Sequence, residues 1–125
     1  MNMRRTGFTL IEMLVVMAIM ATLLAIAAPR YFDSLQRAKD AALRADLRVL
    51  REALDKYHAD TGAWPNQLGS LVAARYLREL PIDPITGVST TWQAIGNPDG
   101  ATVGVYDVRS GAAGIALDGT AYSTW

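Results

Sequence analysis

The sequence predicts an α+β protein in which one very long N-terminal α-helix, apolar in its first half and amphipathic in its second, packs on a small antiparallel β-sheet. Three observations predict this. Phe8–Ala28 is an apolar run that carries a single charge, Glu12. Leu43, Leu47, Leu50, Leu54 and Tyr57 then recur at intervals of 4, 3, 4 and 3, the spacing of one stripe on a helix. Beyond Gly62 the texture changes to short β-like runs separated by glycine and proline turns.

The leading segment Met1–Gly7 is short, polar and basic through Arg4 and Arg5. As a helix, the apolar run that follows would be roughly 31 Å long, the thickness of a bilayer's hydrocarbon. Pro29 closes it. Proline lacks an amide proton and its ring crowds the preceding turn, so a helix break or kink is expected near Ala25–Pro29. The helical pattern then resumes, with Asp40, Arg44, Arg48, Arg51, Glu52, Asp55 and Lys56 on the wet faces. Glu52 with Lys56 and Arg51 with Asp55 stand at pairing distance along a helix. Gly62 is the natural stop, reinforced by Pro65. A helix from about Phe8 to about Asp60 far exceeds the ordinary globular length, so something other than a compact domain must use it.

Gln67–Arg78 reads as a short helix with Leu68, Leu71, Val72 and Tyr76 buried. Leu80–Gly87 is a loop with two prolines and a glycine. Thr91–Ile95, Val103–Val108 and Ile115–Leu117, leading to Tyr122, are strand candidates. Asn97-Pro-Asp-Gly100 and Asp118-Gly119 are turns between them. A sheet of three or so strands, packed on the Leu47/Leu50/Leu54 stripe, satisfies the pattern.

Composition narrows the function. The 125 residues make one small domain, and the formal net charge is zero, so no nucleic-acid partner is expected. The chain has no cysteine, which removes disulfides, thiolate metal sites and thiol nucleophiles. No phosphate-binding glycine loop, nucleophile elbow or zinc spacing occurs, and no enzymatic activity is expected. His58, the only histidine, is read as a partly exposed side chain, and Asp83, between two prolines, as a turn residue. Trp64, Trp92 and Trp125 are read as packing residues. The Arg44/Arg48/Arg51 row is read as a solvated or inter-subunit salt-bridge face.

Glu12 is the one residue that none of this absorbs. An acidic group inside an apolar span costs about 2.5–3.5 kcal/mol at the helix centre and less toward the ends. No Lys or Arg lies inside the span to offset it. A cut after Gly7 would create an α-amine at Phe8, four residues before Glu12, able to neutralise it within the chain or from a neighbour. A secretory signal peptide cleaved near Ala25-Ile-Ala27 is the plainer alternative, but the apolar run is longer than such a core and Glu12 would be a pure cost. A simple single-span anchor leaves Glu12 equally unexplained. The basic residues on the two sides of the span do not decide its orientation.

Arg4-Arg5-Thr6-Gly7-Phe8-Thr9-Leu10-Ile11-Glu12-Met13-Leu14-Val15-Val16 resembles the class III signal of type IV pilins and type II secretion pseudopilins. Tyr57–Pro65, Leu80–Gly87 and the Ser110-Gly and Asp118-Gly ending resemble the region between helix and sheet, and the C-terminal region, of major pseudopilins. The resemblance implies a pilin-like fold with a leader, residues 1–7, removed by prepilin peptidase. It implies a membrane and filament-core helix over 8–29 and a head over 30–125 that includes the amphipathic half-helix 30–61. It further implies cleavage between Gly7 and Phe8, N-methylation of Phe8, Glu12 as the assembly carboxylate, and Pro29 as the family's helix-breaking proline.

The function so implied is that of a structural subunit of a type II secretion pseudopilus, supporting protein export across the outer membrane. The alternative is a minor type IV pilin for motility, adhesion or DNA uptake. The lack of a cysteine pair and the small head favour a major-type pseudopilin. Implied partners are further copies of the chain, other pseudopilins, prepilin peptidase, the inner-membrane assembly platform with its ATPase, and lipid before assembly. The location implied is the bacterial inner membrane, single-pass with a periplasmic head, and then the pseudopilus. No cofactor is required by the resemblance except that major pseudopilins commonly hold calcium in the last β-connection. Asp118 and the Ser110 region are the candidates here, with Ala112-Ala113-Gly114 standing where further carboxylates would be expected.

Overall fold

A computed structural model describes residues 3–125. Two compact units divide the chain, one ending at Leu35 and one spanning Gln36–Trp125. Helix α1, Leu10–Thr61, runs through both.

In the first unit residues 10–28 of α1 are apolar apart from Glu12 and Thr22. Leu10, Ile11, Met17, Leu23, Leu24 and Ile26 are all more than half exposed. An 18-residue window of α1 has a mean hydropathy of 2.5 and none of it is buried, so by length and composition this helix can cross a membrane. The expected break at Pro29 is not an interruption. Pro29 lies inside α1 and the residues on both sides are helical. Proline removes the bond that its own nitrogen would donate to the Ala25 carbonyl and crowds that carbonyl, yet the residues on both sides keep the helical conformation.

In the second unit α1 has an inner face. Leu43, Leu47, Leu50 and Leu54 are almost fully buried, and Ala53 nearly so. Each such leucine contributes about 1.5–3 kcal/mol of burial. They form one core with Leu68, Leu71, Trp92, Val105, Val108, Ala112, Ala116 and Tyr122. Gly62 stops the helix at φ +72°, its amide bonding the His58 carbonyl at 2.8 Å. This left-handed position after the last helical residue is cheapest for glycine.

The short helix expected over Gln67–Arg78 is shorter still: α2 is Gly69–Ala73. Arg75 takes a left-handed φ of +65°, and the amides of Tyr76 and Leu77 fold back onto the Leu71 carbonyl. Turning the chain there returns Leu77 and Leu80 to the core, which a straight helix would have carried away.

The sheet has two strands rather than three. β1, Gln93–Gly96, pairs antiparallel with β2, Val105–Arg109, with a register irregularity between Ile95 and Gly96. The third expected strand is a single bridge, Ile115 to Ala121, followed by a 3-10 turn at Tyr122–Thr124. The Asp118-Gly119 turn is tight, with the Gly119 amide bonding the Ala116 carbonyl, and it leaves no length for a ladder. Asn97–Gly100 forms the expected turn, closed by a bond from the Gly100 amide to the Asn97 carbonyl.

Candidate functional site: the N-terminal constellation

Gly7 and Phe8 precede the helix in non-regular backbone, and both are exposed. A Cβ added at Gly7 would meet nothing within 4 Å, and its φ is not positive. The fold therefore makes no demand for glycine there. Any such demand has to come from a molecule that handles this segment. Of the segment 1–7 expected to be a leader, Met1 and Asn2 lie outside the described residues.

Thr9 opens α1, and the Met13 amide bonds its carbonyl at 3.2 Å. Its Oγ1 accepts the Glu12 amide at 3.1 Å, while Glu12 Oε2 accepts the Thr9 amide at 3.3 Å. This reciprocal pair is a capping box, satisfying two of the amides that every helix start leaves without partners. An acidic group in the first turn also complements the positive end of the helix dipole. Thr9 is a site residue beyond those expected from the sequence; the local signal for it is Thr-x-x-Glu directly before an apolar run.

The box fixes where the carboxylate sits. Glu12 is held on the peptide bond that joins Phe8 to Thr9, one residue from where an α-amine at Phe8 would stand. Among residues 6–29 there is no basic side chain, so such an amine is the one cationic group a cut after Gly7 would place beside it.

The head residues fall into two networks. Asp83 is fully buried. Its Oδ1 accepts the amides of Ile85 and Thr86, the turn role expected of it. Its Oδ2 accepts the Ser110 hydroxyl at 2.7 Å. Ser110, also fully buried, accepts the Ala112 amide. In the second network Asp40, a buried helix carboxyl, accepts the Tyr122 hydroxyl at 2.6 Å and the Gln36 amide at 3.0 Å on Oδ1, and the Leu117 amide at 3.1 Å on Oδ2. Burial raises the Asp40 pKa, but these three hydrogen bonds outweigh it and the net shift is downward. Burial first, and then the bond to Asp40, pushes the Tyr122 phenol up to about 12.

The arginine row is partly absorbed by the chain itself. Arg44 pairs with Asp118 at 2.7 Å, and Arg51 with Asp107 at 2.9 Å and the Val108 carbonyl at 3.0 Å. The expected Arg51–Asp55 and Glu52–Lys56 pairs are not among the ion pairs of the described residues. A planar guanidinium gains more from two acceptors on β2 than from one flexible carboxylate along the helix. His58 is partly buried and stacks flat on Trp64, ring centres 4.0 Å apart. Trp92 is in the core, while Trp64 and Trp125 pack against it.

Asp118 and Ser110 are engaged elsewhere. Asp118 Oδ1 accepts the Thr120 amide and hydroxyl and Oδ2 accepts Arg44, whereas Ser110 bonds Asp83. The Thr120 hydroxyl, the Thr120 amide and Arg44 together hold the Asp118 carboxyl below its ordinary range. Among the described residues no three His, Cys, Asp or Glu side chains converge on a point that could hold a metal ion.

The family model of the prokaryotic N-terminal methylation motif matches residues 2–28. The chain is 31% identical over 97 residues to the type II secretion system core protein G of Pseudomonas aeruginosa, covering 65% of this chain and 68% of that protein. It is 32% identical over 97 residues to the core protein G of Klebsiella pneumoniae, covering 65% and 69%. It is 33% identical over 92 residues to the type IV major pilin protein PilE of Neisseria gonorrhoeae, covering 66% of this chain but only 54% of PilE. No solved structure matches the chain.

Proposed function

The chain belongs to the family of type IV pilins and type II secretion pseudopilins, and from that premise we propose that it is a subunit of a type II secretion pseudopilus. Members of this family are structural subunits, and the plain statement for this chain is a pilin-like structural subunit with an N-terminal methylation motif. The finer reading draws support from the larger share of the core G proteins that the chain spans, 68% and 69% against 54% of PilE. The absence of cysteine supports it too.

The mechanism we propose is mechanical. Before assembly the segment 8–29 lies in the inner membrane and the head lies in the periplasm. Prepilin peptidase removes residues 1–7, and Phe8 is methylated on its new amine. The apolar half of α1 then exchanges lipid for the same half-helix of other copies, in a head-to-tail array that does not close on itself. The ATPase of the assembly platform supplies the work. Glu12, already capping the helix beside Phe8, pairs with a Phe8 amine and sets the register between neighbours. The observation that carries this reading is the Gly7-Phe8-Thr9 to Glu12 array ahead of a helix whose apolar half is unburied.

The mass of the N-terminal peptide of protein recovered from native cells tests it. A methylated phenylalanine at Phe8 is the expected result. A start at Ala28 would end the filament reading. Deletion of the gene separates pseudopilin from pilin: loss of exoprotein secretion supports the former, and loss of twitching or transformation with secretion intact supports a minor type IV pilin.

A further inference from the structure

The family resemblance implies calcium in the last β-connection, and the donors in that connection do not fit it. Ca2+ takes six to eight oxygen ligands, drawn in part from free carboxylates. Both oxygens of Asp118 are engaged by Thr120 and Arg44. The Ser110 hydroxyl is sealed in the core against Asp83. Asp40, the other carboxyl facing this connection, spends both oxygens on Tyr122, Gln36 and Leu117. A divalent ion at Asp118 would also be repelled by the Arg44 guanidinium, which lies 2.7 Å from that carboxylate.

That guanidinium sits where the connection needs a positive charge. Arg44 lies on α1, bonds Asp118 on one side and stacks over the Trp125 ring at 3.9 Å on the other. Trp125 in turn donates its indole N–H to the Thr120 hydroxyl at 2.6 Å. Arg44, Asp118, Thr120 and Trp125 thus form a ring of contacts that ties residues 117–125 to the helix. We propose that Arg44 replaces the metal ion of the last β-connection, so that the head of this protein closes and stays closed without calcium. The charge is permanent, because a guanidinium does not deprotonate in proteins, and closure is then insensitive to the calcium concentration outside the cytoplasm.

The test uses the full chain purified in detergent micelles, with thermal unfolding and amide hydrogen exchange read in calcium and in a calcium chelator. The wild type is expected to give the same midpoint and the same exchange over 114–125 in both. A calcium-dependent rise in midpoint, or slower exchange there in calcium, overturns the proposal, since a ligand that binds only the folded state must stabilise it. Arg44→Gln is expected to speed exchange over 114–125 by about three- to tenfold, the scale of an exposed ion pair plus a cation–π contact. Exchange over α1 and β2 should be unchanged. Arg44→Lys should recover part of the loss. Unaltered exchange in Arg44→Gln overturns the role given to the guanidinium, whatever calcium does.

Discussion

Ser110 donates its hydroxyl hydrogen to the Asp83 carboxyl across 2.7 Å, with both residues wholly withdrawn from solvent. The bond joins the proline loop that carries Asp83 to the segment leaving β2. Asp83 also caps its own loop through the Ile85 and Thr86 amides. Asp83→Ala strands one buried donor, the Ser110 hydroxyl, and two part-buried amides, and is expected to cost about 2–4 kcal/mol. Ser110→Ala strands fewer groups and should cost about 1–2 kcal/mol. Denaturant unfolding of the two variants measures both, and equal losses would show that the shared bond is the whole effect.

Asp40 gives the head an acid-sensitive element. Its pKa in the folded chain lies below its ordinary value, so the folded state holds its proton less tightly than the unfolded state does. The stability this provides is complete above about pH 4 and drains away as the pH falls through the lowered folded value. Thermal midpoints of wild type and Asp40→Asn should therefore differ most near neutrality and draw together as the pH falls below about 4. Asp118, also shifted downward, acts with the same sign.

Asp46 acts with the opposite sign. Burial first, and then the nearby Asp83, raises its pKa, and no basic partner pairs with it among the described residues. Its contribution is favourable below about pH 4, where it is protonated in both states, and is lost as the pH rises through the raised folded value. Asp46→Asn should then raise the midpoint at pH 7 by about 1–3 °C. The gain should disappear in acid. A fall in midpoint at pH 7 would refute the argument.

Gly104 stands at φ +128° beside the Trp64–Pro65 backbone, where an added Cβ would come within 2.8 Å of the Trp64 carbonyl oxygen and Cβ. Neither neighbour is a flexible chain end. The next residue, Val105, bonds the Pro65 carbonyl at 2.8 Å, so the approach cannot open without breaking that tie. Gly104→Ala is expected to cost about 1–3 kcal/mol. The stacked His58 and Trp64 rings should shift with it, and tryptophan fluorescence would report the change.

The capping box separates two roles of Glu12. Glu12→Gln retains an acceptor for the Thr9 amide but loses the charge, whereas Thr9→Ala removes the cap and keeps the charge, at a cost of about 1 kcal/mol. If the carboxylate pairs with a Phe8 amine, Glu12→Gln and Glu12→Ala both insert in the membrane and fail to form filaments, while Thr9→Ala assembles with reduced yield. Normal filaments from Glu12→Gln would refute the ion pair.

The sequence by itself determined the features that local pattern encodes. A long apolar run, a stripe of leucines and a glycine with a nearby proline placed α1 to within two residues at its start and one at its end. The order of residues from Arg4 to Val16 pointed to the filament family, because a motif read along one extended segment needs no folding to be legible. The Thr9–Glu12 box was legible on the same terms.

Tertiary structure alone decided the rest. Arg51 chose Asp107 over Asp55, Arg75 reversed the chain to bring Leu77 back, and the third strand shrank to one bridge. Asp83 and Ser110 are 27 positions apart, and Asp40 and Tyr122 are 82 apart. No periodicity relates such partners, since each pairing depends on which groups the closed core leaves without water and on what else lies within hydrogen-bond reach.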